Sequence, residues 1–324
     1  MREKRTALII LLILLSLLLF VPQIGVVKAE GIIYILSDGS VEGTDKIQRN
    51  DDVYVLTGNL SAGIQVQKSN VVIDGAGYTI QGNGSGTGIN ISNRTRVTVQ
   101  NVRIKNFETG IAYCARARDF GCFSSKNIIV GNEVTNNTFS GILIYGGLNN
   151  NITGNYVAEN GKGVYIKDGS YNFLGSNNFR NNRCGISLYN APNNTIIENH
   201  IENNTVGLSV SAIAYVSSSC NIIINNNFIN NAEQVTLDVL FAPKIINIWD
   251  NGSEGNYWSN YNGTDYNING IGDTPYVIDA DNQDNYPLME PTFILEFLLA
   301  LILVLILVGS LAIVLFKKKV RRQL

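Results

Sequence analysis

A phrase of 11 residues returns five times along the middle of this chain, and such a chain buries its apolar residues by stacking one copy on the next. The copies read NIIVGNEVTNN from Asn127, NNITGNYVAEN from Asn150, NFLGSNNFRNN from Asn172, NTIIENHIENN from Asn194 and NIIINNNFINN from Asn221. A second phrase follows most of them, a Gly leading an alternating run: GILIY at Gly141, GVYIK at Gly163, GISLY at Gly185 and GLSVS at Gly207. Successive copies start 23, 22, 22 and 27 residues apart, a period that marks a repeat architecture.

A coil of about 22 residues at about 3.3 Å per residue has a contour near 70 Å, enough for three short strands and three turns. The expected fold is all-β, a right-handed parallel β-helix solenoid with capped ends. Alternation places Ile142, Ile144, Val164, Ile166, Ile186, Leu188, Leu208 and Val210 on one inner wall. Val134, Val157, Phe179, Ile201 and Phe228 fall on another. The inner asparagines Asn132, Asn155, Asn177, Asn199 and Asn226 recur in register and are expected to stack as an internal amide ladder, each tolerating the left-handed backbone of a sharp corner.

Charge sets the surroundings. Of 24 basic residues four lie in the first 28 positions and five in the last eight, leaving 15 against 25 acidic ones, so the region between is near −10. Nucleic acid is thereby excluded as a natural partner. Residues 1–29 read as a secretory signal, with basic Arg2 to Arg5, an apolar run Ala7 to Val21 and a Val27-Lys28-Ala29 cleavage site. Near the other end Phe297 to Phe316 is an uncharged run of 20 residues, long enough to cross a bilayer, and basic residues follow it. The expected order is an N-terminal cap and opening coil at 30–66, β-helix repeats at 67–250, a C-terminal cap with an Asp/Asn-rich loop at 251–291, a transmembrane helix at 292–316 and a basic cytoplasmic tail at 317–324. Such a protein sits in the cell membrane as a single-pass form, with its β-helix outside and its C-terminus in the cytoplasm.

The opening segment IIYILSDGSVEGTDKIQRNDDVYVLTGNLSAGIQVQKSNVVIDGAGYTIQG, the Asn-anchored coils and the closing GNYWSNYNGTDYNINGIGDTPYVIDADNQDNYPLM resemble the NosD-like parallel β-helix repeat proteins of the archaeal surface type. The likeness runs over residues 31 to 289. It implies the right-handed pectin lyase-like solenoid, and its name-giving member is a periplasmic copper-binding maturation factor. Copper sites use imidazole, thiolate or thioether ligands. This chain holds one His, His200, four Cys, and beyond the signal only Met289, so a copper role finds no ligand set in the sequence.

Three stretches carry the remaining chemistry. The outward positions Tyr145, Lys167 and Tyr189, with Tyr165 beside them, form a column that could hold a polysaccharide or cell-envelope glycan, or could stack for stability alone. Asp265, Asn267, Asn269, Ile271 and Asp273 match the first part of a Ca²⁺ loop, with Tyr276 where a carboxylate would close it and Asp279, Asp281 or Asp284 as substitutes; an Asx-rich turn without metal is the other reading. Cys114 and Cys122 flank an insertion that breaks the repeat and form the preferred disulfide; Cys184 and Cys220 occupy different coil positions. Glu133, Glu198, Glu202, Asp168 and Asp238 are scattered over coil positions, so no catalytic set is legible, although a carbohydrate lyase or hydrolase on this scaffold is the competing class. Ten Asn-x-Ser/Thr sequons make a glycoprotein reading natural, with Asn83 and Asn93 in turns as the better acceptors. Function on this reading is surface binding or envelope structure.

Overall fold

The chain divides into Met1–Glu30 and Gly31–Leu324. The structure, a computed structural model, describes residues 31–113, 124–213, 218–241 and 244–292, all of the second unit. The signal, the apolar run after Phe297, the basic tail, Cys114 and Cys122 lie outside the described residues.

The described residues form a parallel β-helix of about eight turns and contain no helix. Each coil contributes one strand to each of three sheets, which hold 10, 9 and 8 strands. In the coil beginning at Asn127 these are Ile128–Val130, Glu133–Thr135 and Ser140–Tyr145. The 11-residue phrase thus supplies two strands and two corners, and the Gly-led phrase supplies the longer third strand.

Parallel pairing in register turns alternation into three columns of apolar side chains. Ile111, Ile142, Val164, Ile186 and Leu208 are successive partners in the Gly-led sheet. Ile129, Ile152, Leu174, Ile196 and Ile223 align in the second sheet. Val134, Val157, Phe179, Ile201 and Phe228 align in the third, and every one of these side chains is buried. A one-residue slip would turn a whole column to water, so the columns lock the register. The leading glycines are a packing requirement: a Cβ on Gly163 would stand 2.4 Å from the Gly185 carbonyl oxygen, and one on Gly185 would stand 2.7 Å from that of Gly207.

The inner asparagines form a ladder. Amide nitrogen donates to the next amide oxygen at 3.0, 2.9, 3.0 and 3.0 Å from Asn132 through Asn155, Asn177 and Asn199 to Asn226, and Asn256 extends the series at 3.0 Å. Two further ladders flank it. One runs Asn127, Asn150, Asn172, Asn194, Asn221, Asn247, and the other Asn137, Asn160, Asn182, Asn204, Asn231. Upstream, Val97, Val102 and Phe107 donate their backbone N–H groups to the first rung of each.

One expectation is corrected. The ladder asparagines do not adopt the left-handed conformation; the residue before each does, namely Gly131, Gly154, Ser176, Glu198 and Asn225, with φ between 52° and 64°. That residue turns the corner, and the Asn after it points inward.

At the C-terminal end Trp258 stacks on Phe228 at 4.4 Å and Tyr276 stacks on Trp258 at 4.2 Å, so aromatic rings continue the third column beyond the last full coil. Residues 244–250, the end of the expected repeat region, form no strand and keep the bridge Ile222↔Ile248. Their alternation persists, with Ile245, Asn247 and Trp249 buried and Ile246 and Ile248 half exposed. Among the described residues no further full coil pairs with them; instead Asn282 accepts from the Asn247 N–H at 3.0 Å, Asp281 pairs with Lys244 and Asn285 donates to Asp250.

Candidate functional site

Six-residue strands make the Gly-led sheet the widest of the three, and its outer face carries the candidate site. Register places Tyr145, Lys167 and Tyr189 side by side on successive strands Ser140–Tyr145, Lys162–Lys167 and Cys184–Tyr189. The Lys167 ammonium lies 5.2 Å from the ring centroid of Tyr145 and 5.2 Å from that of Tyr189, between two aromatic platforms. Tyr165 occupies the next outward column, between Leu143 and Ser187.

A further column, absent from the sequence reading, runs Ser140, Lys162, Cys184; Ser140 and Cys184 are buried, and Lys162 reaches the outer face. The Lys162 ammonium sits 3.5 Å above the Tyr165 centroid and 5.7 Å from that of Phe139, whose ring meets Tyr165 edge-on at 5.9 Å. Lys162, Cys184 and Phe139 were detectable only by starting the repeat before its Gly. Lys162 and Cys184 directly precede their glycines, and Phe139 stands two residues before Gly141.

These contacts tune the groups. Partial burial pulls the Lys162 ammonium below the usual lysine range, with the charges of Arg183 and Lys167 acting the same way. Burial pushes the Tyr165 phenol up to about 12 and the Cys184 thiol up to about 11. Tyr145 is raised by burial first, then by the Asp168 carboxylate that accepts its hydroxyl proton in a hydrogen bond. Neither Lys162 nor Lys167 has an ion pair among the described residues. The face therefore offers flat rings, two uncompensated cations and a nearby guanidinium, and it can grip a ligand with apolar faces and polar edges.

The other candidates do not join it. Asp265 accepts from the Asn269 and Gly270 amides at 3.1 and 2.8 Å, Asp273 from the Tyr266 amide at 2.6 Å, Asn267 from the Asn269 amide and Asn269 from that of Ile271. Asp284 points into the interior, accepting from Trp258 Nε1 at 2.8 Å, while Asp281 pairs with Lys244 and Asp279 accepts from the Asp281 amide. Tyr257 and Tyr261 are half-buried beside Trp249 and Trp258, both buried.

Glu133 pairs with Arg103 at 3.2 Å, Glu198 accepts from Ser176 at 3.2 Å, and Glu202 faces His200 at 3.2 Å. Asp168 bonds Tyr145 and Asp238 is exposed on Glu233–Leu240, the last strand of that sheet, so each acid has a separate setting. Cys184 and Cys220 are unpaired, one buried in a strand and the other exposed at a left-handed corner. A hollow of about 360 Å³ opens at the corner of the other two sheets, lined by Gly77, Arg103, Gly131, Glu133, Gly154 and Tyr156. Its guanidinium is committed to Glu133 and to the Gly77 carbonyl at 2.8 Å.

No curated protein matches the chain. Among solved structures, a mutant of the periplasmic alginate epimerase AlgG is 16% identical with a TM-score of 0.39, over 59% of this chain and 49% of its own. The ORF18 protein of a Geobacillus virus is 13% identical with a TM-score of 0.33, over 74% of this chain and 62% of its own. An α-1,3-glucanase catalytic domain in complex with tetrasaccharides is 15% identical with a TM-score of 0.30, over 60% of this chain and 55% of its own. Scores this low carry no functional comparison. The profile of the family described as periplasmic copper-binding protein (NosD) matches residues 40–263, more than two thirds of the sequence. The chain belongs to the NosD family of β-helix repeat proteins.

Proposed function

We propose that this chain is a membrane-anchored surface protein whose β-helix binds glycan through the outer face of its Gly-led sheet. In this reading residues 297–316 are the anchor, the solenoid faces the outside and the basic tail lies in the cytoplasm. The observation that carries the proposal is Lys167 held between the rings of Tyr145 and Tyr189, with Lys162 on Tyr165 alongside. Aromatic faces bury the C–H faces of pyranose rings, and cationic side chains meet their oxygen-bearing edges.

The family description speaks of copper. Among the described residues the soft donors are dispersed: His200 faces Glu202, Cys184 is buried beside the Lys162 strand, Cys220 stands at an exposed corner, and Met289 lies in the C-terminal segment against Gly270. No three His, Cys, Asp or Glu side chains gather there into a metal-holding group. The described residues do not fit a copper centre, and no copper chemistry enters the proposal.

The test is a glycan array probed with the purified full-length chain and with the Tyr145→Ala, Tyr189→Ala double variant. Loss of two stacking platforms worth about 1 kcal/mol each lowers affinity roughly tenfold or more, while the melting temperature moves by no more than a few degrees. Unchanged binding in the double variant, or no glycan bound by the parent chain, refutes the proposal.

A further inference from the structure

We infer that the ligand of this face is an anionic polysaccharide, one bearing carboxylate or sulfate groups on its sugars. The inference rests on the glycan reading above and adds a charge requirement to it.

The first argument is charge complementarity against the background of the molecule. The region between the terminal basic clusters is near −10, yet Lys162, Lys167 and Arg183 stand together with Asp168 as the one acid acting on the tyrosines of this face. Asp168 is engaged by the Tyr145 hydroxyl. The lysines touch aromatic rings, which shield them from water and cannot neutralise them. A cationic island on an acidic protein draws anions to that one place.

The second argument is the cost of covering those charges. A neutral sugar chain laid across Tyr145, Tyr165 and Tyr189 would displace water from two ammonium groups and give them only hydroxyl partners. Covering an unpaired charge costs several kcal/mol, more than stacking on these rings returns. A carboxylate or sulfate at each lysine reverses the sign, because the pair forms where both groups are partly dry. Lys162 is already partly desolvated, and an anion beside it restores what burial has taken.

The third argument is spacing. Tyr145 and Tyr189 are two strands apart, roughly 10 Å, with Lys167 on the strand between them. Ring, cation, ring in one line suits a chain in which sugar faces alternate with acidic substituents. Single-stranded nucleic acid also combines flat rings with anions, but its dense phosphates meet the acidic surface all around the patch.

The decisive experiment measures binding of the purified full-length chain to dextran, dextran sulfate, polygalacturonate and oligo-dT, at about 50 and about 500 mM salt. The variants are Lys162→Gln, Lys167→Gln, Lys167→Arg and the double Tyr145→Ala, Tyr189→Ala change. Binding of polygalacturonate, dextran sulfate or both is expected, with dextran bound at least tenfold more weakly and salt weakening the acidic ligand about tenfold. Binding by only one of the two tells carboxylate from sulfate. Each Lys→Gln change should lower that affinity about tenfold, Lys167→Arg should retain it, and all variants should melt within a few degrees of the parent. Equal binding of dextran, with indifference to salt and to the lysine changes, overturns the anionic requirement and leaves glycan binding standing. Acidic binding unaffected by both Lys→Gln variants also overturns it. Binding of none of the three polysaccharides removes both readings, and tighter binding of oligo-dT than of either acidic polysaccharide assigns the face to another ligand class.

Discussion

Asn177 is the middle rung of the central ladder, and its loss tests what holds the coils together. Its Oδ1 accepts from the Asn155 backbone N–H at 3.0 Å and from the Asn155 side-chain amide at 2.9 Å. Its Nδ2 donates to the Ile152 carbonyl at 2.8 Å and to Asn199 Oδ1 at 3.0 Å, all inside the solenoid. Asn177→Ala strands the Asn155 N–H, while the Asn155 side chain keeps the Ile129 and Thr153 carbonyls and Asn199 Oδ1 keeps the residue 177 N–H. One orphaned buried donor at about 1–3 kcal/mol, plus a weakened carbonyl and an amide-sized void, comes to about 3–4 kcal/mol. A fold of this size should then melt roughly 6–15 °C lower by circular dichroism. Asn177→Asp should be worse than Ala at pH 7, because a second oxygen faces the Ile152 and Asn199 oxygens with no proton to donate. Its buried carboxyl titrates above the unfolded value, so this variant's stability is greatest in acid and is lost as pH rises through that folded pKa. Asn181, exposed at a left-handed corner, is the control: Asn181→Gly should cost no more than about 0.5 kcal/mol. A melting shift below about 2 °C for Asn177→Ala, or an Asp variant matching Ala at pH 7 without recovery in acid, would refute the view that the ladder is a stability element.

Asp284 offers a pH test at the C-terminal end. Burial raises its carboxyl above the ordinary 3.8 despite hydrogen bonds from Asn256, Trp258 and Tyr286, so its proton stabilises the fold and that stability falls as pH rises from about 4. Melting curves between pH 4 and 7 should flatten in Asp284→Asn, and equal slopes in both proteins would contradict this. Iodoacetamide with peptide mapping at pH 7.5 should label exposed Cys220 quickly. Cys184, buried with its thiol pushed to about 11, should react only as the chain unfolds; equal rates would show that its strand opens freely.

The interior was legible from sequence because period two and the 22-residue repeat coincide. Ile142, Val164 and Ile186 had to share a wall, and parallel pairing puts them in one line. The flanking ladders have a sequence signal too, the five-residue spacing of Asn127, Asn132 and Asn137, which recurs in the later copies of the phrase. The left-handed residue was assigned one position late, since Asn is both the natural corner residue and the natural rung, and the backbone separates those roles onto neighbours. At the outer face Tyr145, Lys167 and Tyr189 came from alternation, whereas Lys162 needed the strand register to bring it onto Tyr165. The Asp265 to Asp273 segment shows the limit: alternate oxygens serve a cation, successive amide donors or both at once, so the spacing that reads as a calcium loop is also the spacing that here receives the Asn269, Gly270 and Ile271 amides.

Why the Gly-led sheet should carry recognition follows from strand length. Strands of three residues, such as Asn151–Thr153 and Tyr156–Ala158, turn into a ladder corner at each end, so their outer face is narrow. Lys162–Lys167 has six residues, and its outward side chains Lys162, Tyr165 and Lys167 stand in three parallel columns. Stacking then repeats each column at about 4.8 Å along the axis. The interior constrains what points inward at every coil, leaving these outward columns free to vary without loss of register. Ser140 to Lys162 to Cys184 and Tyr145 to Lys167 to Tyr189 place both lysines on the same strand with aromatic rings against each. Coil stacking supplies no reason for two lysines to be held there without carboxylate partners, and an external anion does.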